Sequence, residues 1–228
     1  MPDESCLHIL RQGISAWNQW RLRNPDVYPN LRSADLSRMD LSSVNLRGAD
    51  LEVANMSQAV LVDACLCSCN LRRTDLSGAA LKHTDLTGAD LSHADLRGTD
   101  LSGKDFSHGS LAGADLSYAH LSNTDFSQAD LTGALLERSL ARSATFAGAN
   151  LRGAVLRGTL LEYADFTDAD LTGAVLTNAN LQSCYLNGAC IHDARMEGAI
   201  LDGTPLKGVH ASPARWAHLE TLLLIREI

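Results

Sequence analysis

The chain has 228 residues, of which 19 are basic and 27 acidic, so its formal net charge is −8. A general phosphate-binding surface needs an excess of Lys and Arg, so this balance argues against direct nucleic-acid binding. No run of about 18 apolar residues is available to span a bilayer. The first residues have neither a basic n-region nor a continuous apolar stretch, so we expect a cytoplasmic protein that does not bind membranes.

The first predicted element is an N-terminal helical cap or extension over residues 1–30. Apolar residues recur at helical spacing from Leu7 to Trp17, and Pro25 stops the pattern. Because the segment precedes a long repeat, we expect it to cover the exposed end of that repeat.

The next element, over residues 31–210, repeats every five residues. A large apolar residue, here called the central residue, stands at every fifth position from Leu31 to Leu206 except at position 141. A small residue usually stands two positions before it. Steps of five advance by about 140° around an α-helix and alternate faces in a flat strand, so neither element buries this pattern. The chain must turn once per pentapeptide, and the frequent Gly two residues after the central residue suits such a turn.

The phenylalanines indicate the number of sides in each coil. All of them occupy central positions at a spacing of twenty residues: Phe106, Phe126, Phe146 and Phe166. Random placement on four sides would give one column about once in 64. The sequence therefore predicts an all-β fold, a four-sided solenoid of about nine coils whose neighbouring coils pair like strands.

Two positions inside the solenoid depart from the repeat. Lys104 occupies a small position before Phe106, and an unpaired ammonium inside a narrow apolar coil is costly. Either a local bulge lets Lys104 turn outward, or the loop is distorted to hold a ligand. Ala141 occupies a central position, where we expect Leu140 to turn inward rather than leave a void beside Phe146.

The residue before each central residue is predicted to point outward, and its type changes along the chain. In the first half it is often Asp, which forms two acidic columns at twenty-residue spacing: Asp75, Asp95 and Asp115, and Asp85, Asp105 and Asp125. In the second half it is often aliphatic, in two neighbouring columns: Leu135, Val155 and Val175, and Leu140, Leu160 and Ile200. Apolar exposure of this extent marks an interaction surface, unless these residues only support the solenoid or a terminal helix covers them.

The last predicted element is a C-terminal capping or dimerisation helix over residues 211–228. Ser212 suits the N-cap, and Pro213 suits the first helical position. Apolar side chains such as Leu222 and Ile225 exceed what one buried stripe requires, so this end is a candidate surface for a homodimer.

The sequence carries no recognisable catalytic pattern. Cys65, Cys67 and Cys69 form a C-x-C-x-C motif, but Cys69 holds an inward position and zinc needs four convergent ligands. The six cysteines are too few for a disulfide scaffold, and we expect reduced thiols. A convex rod offers no obvious cleft for a pair of carboxylates with shifted pKa values. We therefore expect no enzyme activity, no cofactor and no metal.

The segments ADLSR, GADLE, TDLTGADLSHADLRGTDL and DADLTGAVL resemble the pentapeptide-repeat family, whose signature is A(D/N)LXX. The segment AWNQWRLRNPDVYPNLRSADL is similar to an extension found before the repeats of many bacterial, notably cyanobacterial, members. The resemblance implies a right-handed quadrilateral β-helix but little about activity. Some members mimic B-DNA and bind type II topoisomerases, and others modulate regulatory proteins.

Two functional hypotheses follow. The first is a non-enzymatic protein–protein interaction scaffold or regulator that uses the solenoid faces. The alternative is a DNA mimic that binds a type II topoisomerase and thereby protects or inhibits gyrase. The first is favoured because arginines such as Arg72, Arg97 and Arg152 interrupt the acidic columns and the net charge is only −8.

Overall fold

A computed structural model describes residues 3–212 of the chain. Two helices, α1 (Glu4–Arg11) and α2 (Ile14–Arg23), precede the repeats. They are separated at Gly13, whose φ of 110° is a conformation that favours glycine. The predicted C-terminal helix lies outside the described residues apart from its first two positions, and Leu222 and Ile225 with it. Among residues 3–212, no helix is long and apolar enough to cross a membrane.

The repeat forms a solenoid with four sides per coil, as predicted. At most positions the residue before the central residue pairs in parallel with the residue twenty positions later, beginning with Asn30 and Asp50. The backbone also bonds across coils, as where the Leu31 amide donates to the Asp50 carbonyl at 2.8 Å. The sides consist of isolated bridges rather than long strands, because the chain turns again within each pentapeptide.

Each corner of the solenoid is a tight turn. At the first corner the Ala34 amide donates to the Leu31 carbonyl at 3.1 Å. The residue two positions after the central residue has a positive φ, such as 57° at Ser33 and 63° at Gly78. A positive φ at the third residue is the mark of a type II turn, which glycine adopts without strain. The predicted role of glycine at this position is confirmed.

The core is a stack of central and small residues, almost all of them fully buried. Its aromatic column is confirmed: Phe106, Phe126, Phe146 and Phe166 stack with ring centroids 4.8 to 5.5 Å apart and interplanar angles of 5° to 11°. Burial of each large side chain contributes about 1.5–3 kcal/mol. Since contacts join only neighbouring coils, stability is close to a sum of local terms.

Side chains of α2 satisfy backbone groups of the first coil that have no preceding coil to bond. Trp17 Nε1 donates to the Asn45 carbonyl at 2.7 Å, and the Asn18 side-chain oxygen accepts from the Asn45 amide at 2.9 Å. Arg21 donates to the Arg47 carbonyl at 2.8 Å. In later coils the equivalent groups bond to a neighbouring coil. The helix therefore covers the open end of the ladder, where unpaired backbone groups would be costly.

The expectation that Leu140 turns inward is wrong. Ala141 is fully buried at its central position, whereas Leu140 is 38% exposed and pairs with Leu160 in the next coil. The register does not shift because the Ala141 amide still donates to the Leu160 carbonyl at 2.8 Å. An inward Leu140 would require these ladder bonds to break.

Candidate functional site

The outward aliphatic residues form a surface on two adjacent sides of the second half of the solenoid. Leu135, Val155 and Val175 pair successively in one column, and Leu140 pairs with Leu160 in the next. We call these five residues the aliphatic patch. Leu135 is 39% exposed and Leu160 is 42% exposed, while the two valines are partly buried.

Ile200 does not continue the second column of the patch. Asn180 pairs with Leu160 on one side and with Ile200 on the other, so a polar residue separates the two aliphatic side chains. The predicted column of three is therefore shorter by one residue. Between the two columns, Arg157 Nε lies 3.8 Å from Glu137 Oε1, so an exposed ion pair divides the patch into two ridges.

The first acidic column is continuous but partly neutralised. Asp75, Asp95 and Asp115 pair successively along one side. Arg97 Nε lies 2.9 Å from a carboxylate oxygen of Asp95 and 3.7 Å from one of Asp115. Each of these carboxylates also accepts from the backbone amide two residues later, such as that of Ser77 at 2.9 Å from Asp75. The aspartates thus serve the turns, as their repeat position predicts.

The second acidic column is interrupted. Asp105 pairs with Asp125, but the bridge that the repeat predicts between Asp85 and Asp105 is missing. Both carboxylates are exposed and accept a backbone amide in their own turns. Hydrogen bonds from Ser107 lower the pKa of Asp105 below its ordinary value. The break shows that the two coils separate at this point.

The separation is a cleft between residues 79–89 and residues 99–110, which we call its first and second lips. No backbone hydrogen bond joins the two lips, although both lie well inside the described part of the chain. The ladder is intact just before the cleft, where the Gly78 amide donates to the Arg97 carbonyl at 3.1 Å. The ladder resumes just after the cleft, where the Leu91 amide donates to the Ser110 carbonyl. The cleft therefore spans two consecutive sides of one coil.

Lys104 occupies this cleft. Its side chain turns out of the coil interior, and Nζ donates to the Thr84 carbonyl at 2.9 Å. In the regular ladder such a carbonyl accepts from a backbone amide of the next coil. The Lys104 carbonyl, for example, accepts from the Asp125 amide at 2.9 Å. Burial lowers the pKa of Lys104, against the opposing effect of the Asp100 and Asp85 carboxylates. Lys104 thus replaces a backbone donor and stands between the lips.

The cleft is roomy and mixed in character. Adjoining cavities of about 290, 460 and 220 Å³ lie along it. Its floor includes core side chains with slight exposure, such as Phe106 at 5% and Leu86 at 6%. Its rim carries exposed carboxylates from Asp85, Asp100 and Asp105.

The cysteine motif lies one coil before the cleft. Cys65 and Cys67 form a disulfide, so the expectation of six reduced thiols is wrong for this pair. Their positions flank a central residue, and side chains at such positions also contact each other through hydrogen bonds in other coils. Cys69 points inward as predicted, and burial raises its thiol pKa to about 12. The two sulfur atoms and a carboxylate oxygen of Asp85 lie within 4.8 Å of one another, but sulfurs joined in a disulfide are not the thiolates that bind zinc.

Comparison with known proteins gives one consistent result. A family model described as pentapeptide repeats matches the chain in eight copies, over residues 34–73, 64–103, 105–138, 119–158, 142–178 and 164–203. These segments stop before Lys104 and resume after it, at the cleft. No curated protein matches the sequence.

Solved structures of the same repeat class are similar to this chain. HetL, involved in heterocyst differentiation regulation in the cyanobacterium Nostoc sp. strain PCC 7120, is 29% identical over 84% of this chain and 95% of its own, with a TM-score of 0.50. A pentapeptide repeat protein from the cyanobacterium Cyanothece 51142 is 25% identical over 52% and 91%, with a TM-score of 0.44. QnrB1, a plasmid-mediated fluoroquinolone resistance protein, is 18% identical over 83% and 88%, with a TM-score of 0.48.

Proposed function

Because this chain belongs to the pentapeptide-repeat family, we propose that it is a non-enzymatic protein-interaction scaffold or regulator. It binds a protein partner through the faces of a right-handed quadrilateral β-helix. The aliphatic patch is the contact surface in this proposal, and the partner carries a complementary apolar surface.

The observation that supports the proposal is that the aliphatic patch lacks hydrogen bonds that stabilise turns elsewhere in the solenoid. Where Asp precedes the central residue, its carboxylate accepts a backbone amide, as Asp115 does from Ser117 at 3.0 Å. Leu135 and Leu160 cannot accept such a bond, and they expose apolar surface instead. Stacking between paired side chains returns only about 0.2–1 kcal/mol per pair. A partner that covers the patch gives these residues a role that the repeat does not.

The likeness to HetL supports a regulatory role in particular. That protein takes part in the regulation of heterocyst differentiation, and its alignment spans most of both chains. A rod that exposes an aliphatic patch suits regulation by binding, because it can cover a surface of its partner without catalysing a reaction.

The alternative is a DNA mimic that binds a type II topoisomerase, and the continuous acidic column from Asp75 to Asp115 favours it. Two observations weigh against it. Arg97 pairs with two of the three carboxylates in that column, and the cleft interrupts the second column at Asp85. A gyrase supercoiling assay separates the hypotheses. The scaffold proposal predicts neither inhibition nor drug protection at micromolar protein.

The proposal is tested with substitutions that restore the repeat. The double variant Leu135→Asp, Leu160→Asp introduces the residue that the family signature prefers, so the solenoid should remain folded. The matched control Thr145→Asp, Asn150→Asp adds the same charge on the other two sides. Purified proteins are used as bait in a lysate of the source organism, and captured proteins are quantified by mass spectrometry. A partner should be captured by the wild type and the control but lost by the patch variant. Equal capture by all three would refute the role of the patch.

A further inference from the structure

The two lips of the cleft present backbone groups that have no partner. In the first lip the amides of Leu81, His83 and Leu86 have no backbone acceptor among residues 3–212. In the second lip, within the same part of the chain, the carbonyls of Asp100 and Ser102 have no backbone donor. In the coils just before and just after the cleft the equivalent groups pair directly with a neighbouring coil. Such groups are either hydrated or bound by something that supplies both donors and acceptors.

From this arrangement we propose that the cleft binds an extended peptide segment of a partner protein, which pairs with backbone groups of the lips. A peptide in extended conformation offers one amide and one carbonyl per residue, and it adds to exposed ladders in this way in other proteins. A bound anion would use only the amides, and the carboxylates of Asp85, Asp100 and Asp105 around the rim oppose it. A metal cation would leave the amides unsatisfied.

The dimensions and lining of the cleft suit this occupant. Its larger cavities, of about 290 and 460 Å³, have the size of ligand sites in general. The slightly exposed edges of Leu86 and Phe106 offer contact for an apolar side chain of the peptide. The rim has three carboxylates and the ammonium groups of Lys82 and Lys104, so a neutral or weakly basic peptide fits its charge.

The cleft lies on a side of the rod that the aliphatic patch also uses. Asp100, on the second lip, pairs with His120, and His120 pairs with Leu140 of the patch. A protein seated on the patch could therefore extend a segment into the cleft. The peptide site is nevertheless a separate proposal from the aliphatic patch, because it consists of different residues and is tested with different variants.

Lys104 is a positioning residue for this site. Its ammonium donates to the Thr84 carbonyl and so replaces the backbone hydrogen bond that this carbonyl would accept if the lips were closed. Its neighbours in the same inward column are Thr84 and Thr124, whose hydroxyls bond to backbone carbonyls within an otherwise ordinary repeat. The variant Lys104→Thr should therefore fold with the cleft closed.

The test begins with a displayed library of random peptides selected on the wild-type protein. Selected sequences are synthesised, and their affinities are measured by calorimetry for the wild type, Lys104→Thr and Lys207→Thr. The last variant removes an equal charge at an exposed position far from the cleft. We expect binding at least about tenfold weaker for Lys104→Thr and nearly unchanged for Lys207→Thr. N-methylation of the peptide backbone should also abolish binding, and bound peptide should slow amide exchange at Leu81 and His83.

A second variant keeps the inference testable if Lys104→Thr fails to fold. Ala80 is exposed at the mouth of the cleft, and Tyr185 occupies the corresponding outward position on another side. Ala80→Tyr should therefore block the mouth without disturbing the core, and it should weaken peptide binding to a similar extent. Failure to select any peptide would overturn the inference, as would equal binding by the cleft variants or exchange protection elsewhere. None of these results depends on the aliphatic patch.

Discussion

Replacement of Lys104 by Thr is expected to close the cleft and stabilise the solenoid. The hydroxyl of Thr124, one coil later in the same column, donates to the Leu101 carbonyl at 2.9 Å. The hydroxyl of Thr84, one coil earlier, donates to the Leu61 carbonyl at 2.8 Å. A Thr in place of Lys104 would reach the Leu81 carbonyl in the same manner, and no side chain would hold the lips apart.

The size of the effect follows from the bonds that are regained and lost. Closure gives seven amides a backbone acceptor in the ladder: those of Leu81, His83, Leu86, Gly88, Asp100, Asp105 and Ser110. Solvent can reach these groups in the open cleft, so each bond is worth about 0.5 kcal/mol, or about 3.5 kcal/mol together. Loss of the charged bond from Lys104 to Thr84 removes about 1.5 kcal/mol. The net gain in the free energy of unfolding is about 2 kcal/mol.

Two measurements check this prediction. Urea unfolding compares the wild type with Lys104→Thr and with the control Lys207→Thr, which changes the charge equally at an exposed position far from the cleft. Amide exchange then locates the change, because exchange at Leu81, His83 and Leu86 should slow only in Lys104→Thr. Unchanged or reduced stability, together with fast exchange at these amides, would refute the view that Lys104 keeps the coils apart.

Three further predictions concern the cap, the core and the turns. Trp17→Ala should lower the free energy of unfolding by about 3–5 kcal/mol, because the ring is fully buried against the first coil; a loss under about 1 kcal/mol in urea unfolding would contradict the cap. Ala141→Leu should raise it by about 1–2 kcal/mol, since Leu140 does not supply the missing volume; clear destabilisation in the same assay would indicate a filled site. Hydrogen bonds from Ser37 and Ser42 lower the pKa values of Asp35 and Asp40, so their stabilisation is complete above the ordinary Asp value of 3.8 and is lost as pH falls below it. Thermal unfolding should therefore change little between neutral pH and about pH 5 and decline below about pH 4, and a decline that begins near neutral pH would contradict this account.

The coil geometry could be predicted from the sequence because it depends on local and strictly periodic information. The five-residue period requires one turn per pentapeptide, and the spacing from Phe106 to Phe166 gives four sides, which the twenty-residue bridges confirm. The outward position of the aspartates and their bonds to turn amides follow from the same register. The polar contacts of Trp17, Asn18 and Arg21 were missed, because hydropathy spacing identifies the helices but not which backbone groups they satisfy.

The irregular positions were harder to predict. Lys104 stands out in the sequence, but the loss of pairing along two sides is a collective response of two coils to one side chain. At Ala141 the expectation considered only the missing volume, whereas the ladder bonds of Leu140 and Ala141 hold the register against it. The bond between Cys65 and Cys67 does not follow from the C-x-C-x-C spacing, because it depends on the contact between positions on either side of a central residue.

Partner capture with the patch variants tests the central claim most directly. The bait proteins are the wild type, Leu135→Asp with Leu160→Asp, and Thr145→Asp with Asn150→Asp, all compared at equal concentration after circular dichroism has verified the fold. If the chain is an interaction protein that uses its aliphatic patch, a specific protein will be enriched by the first and third baits and absent from the second. Enrichment of the same protein by all three baits would contradict that account.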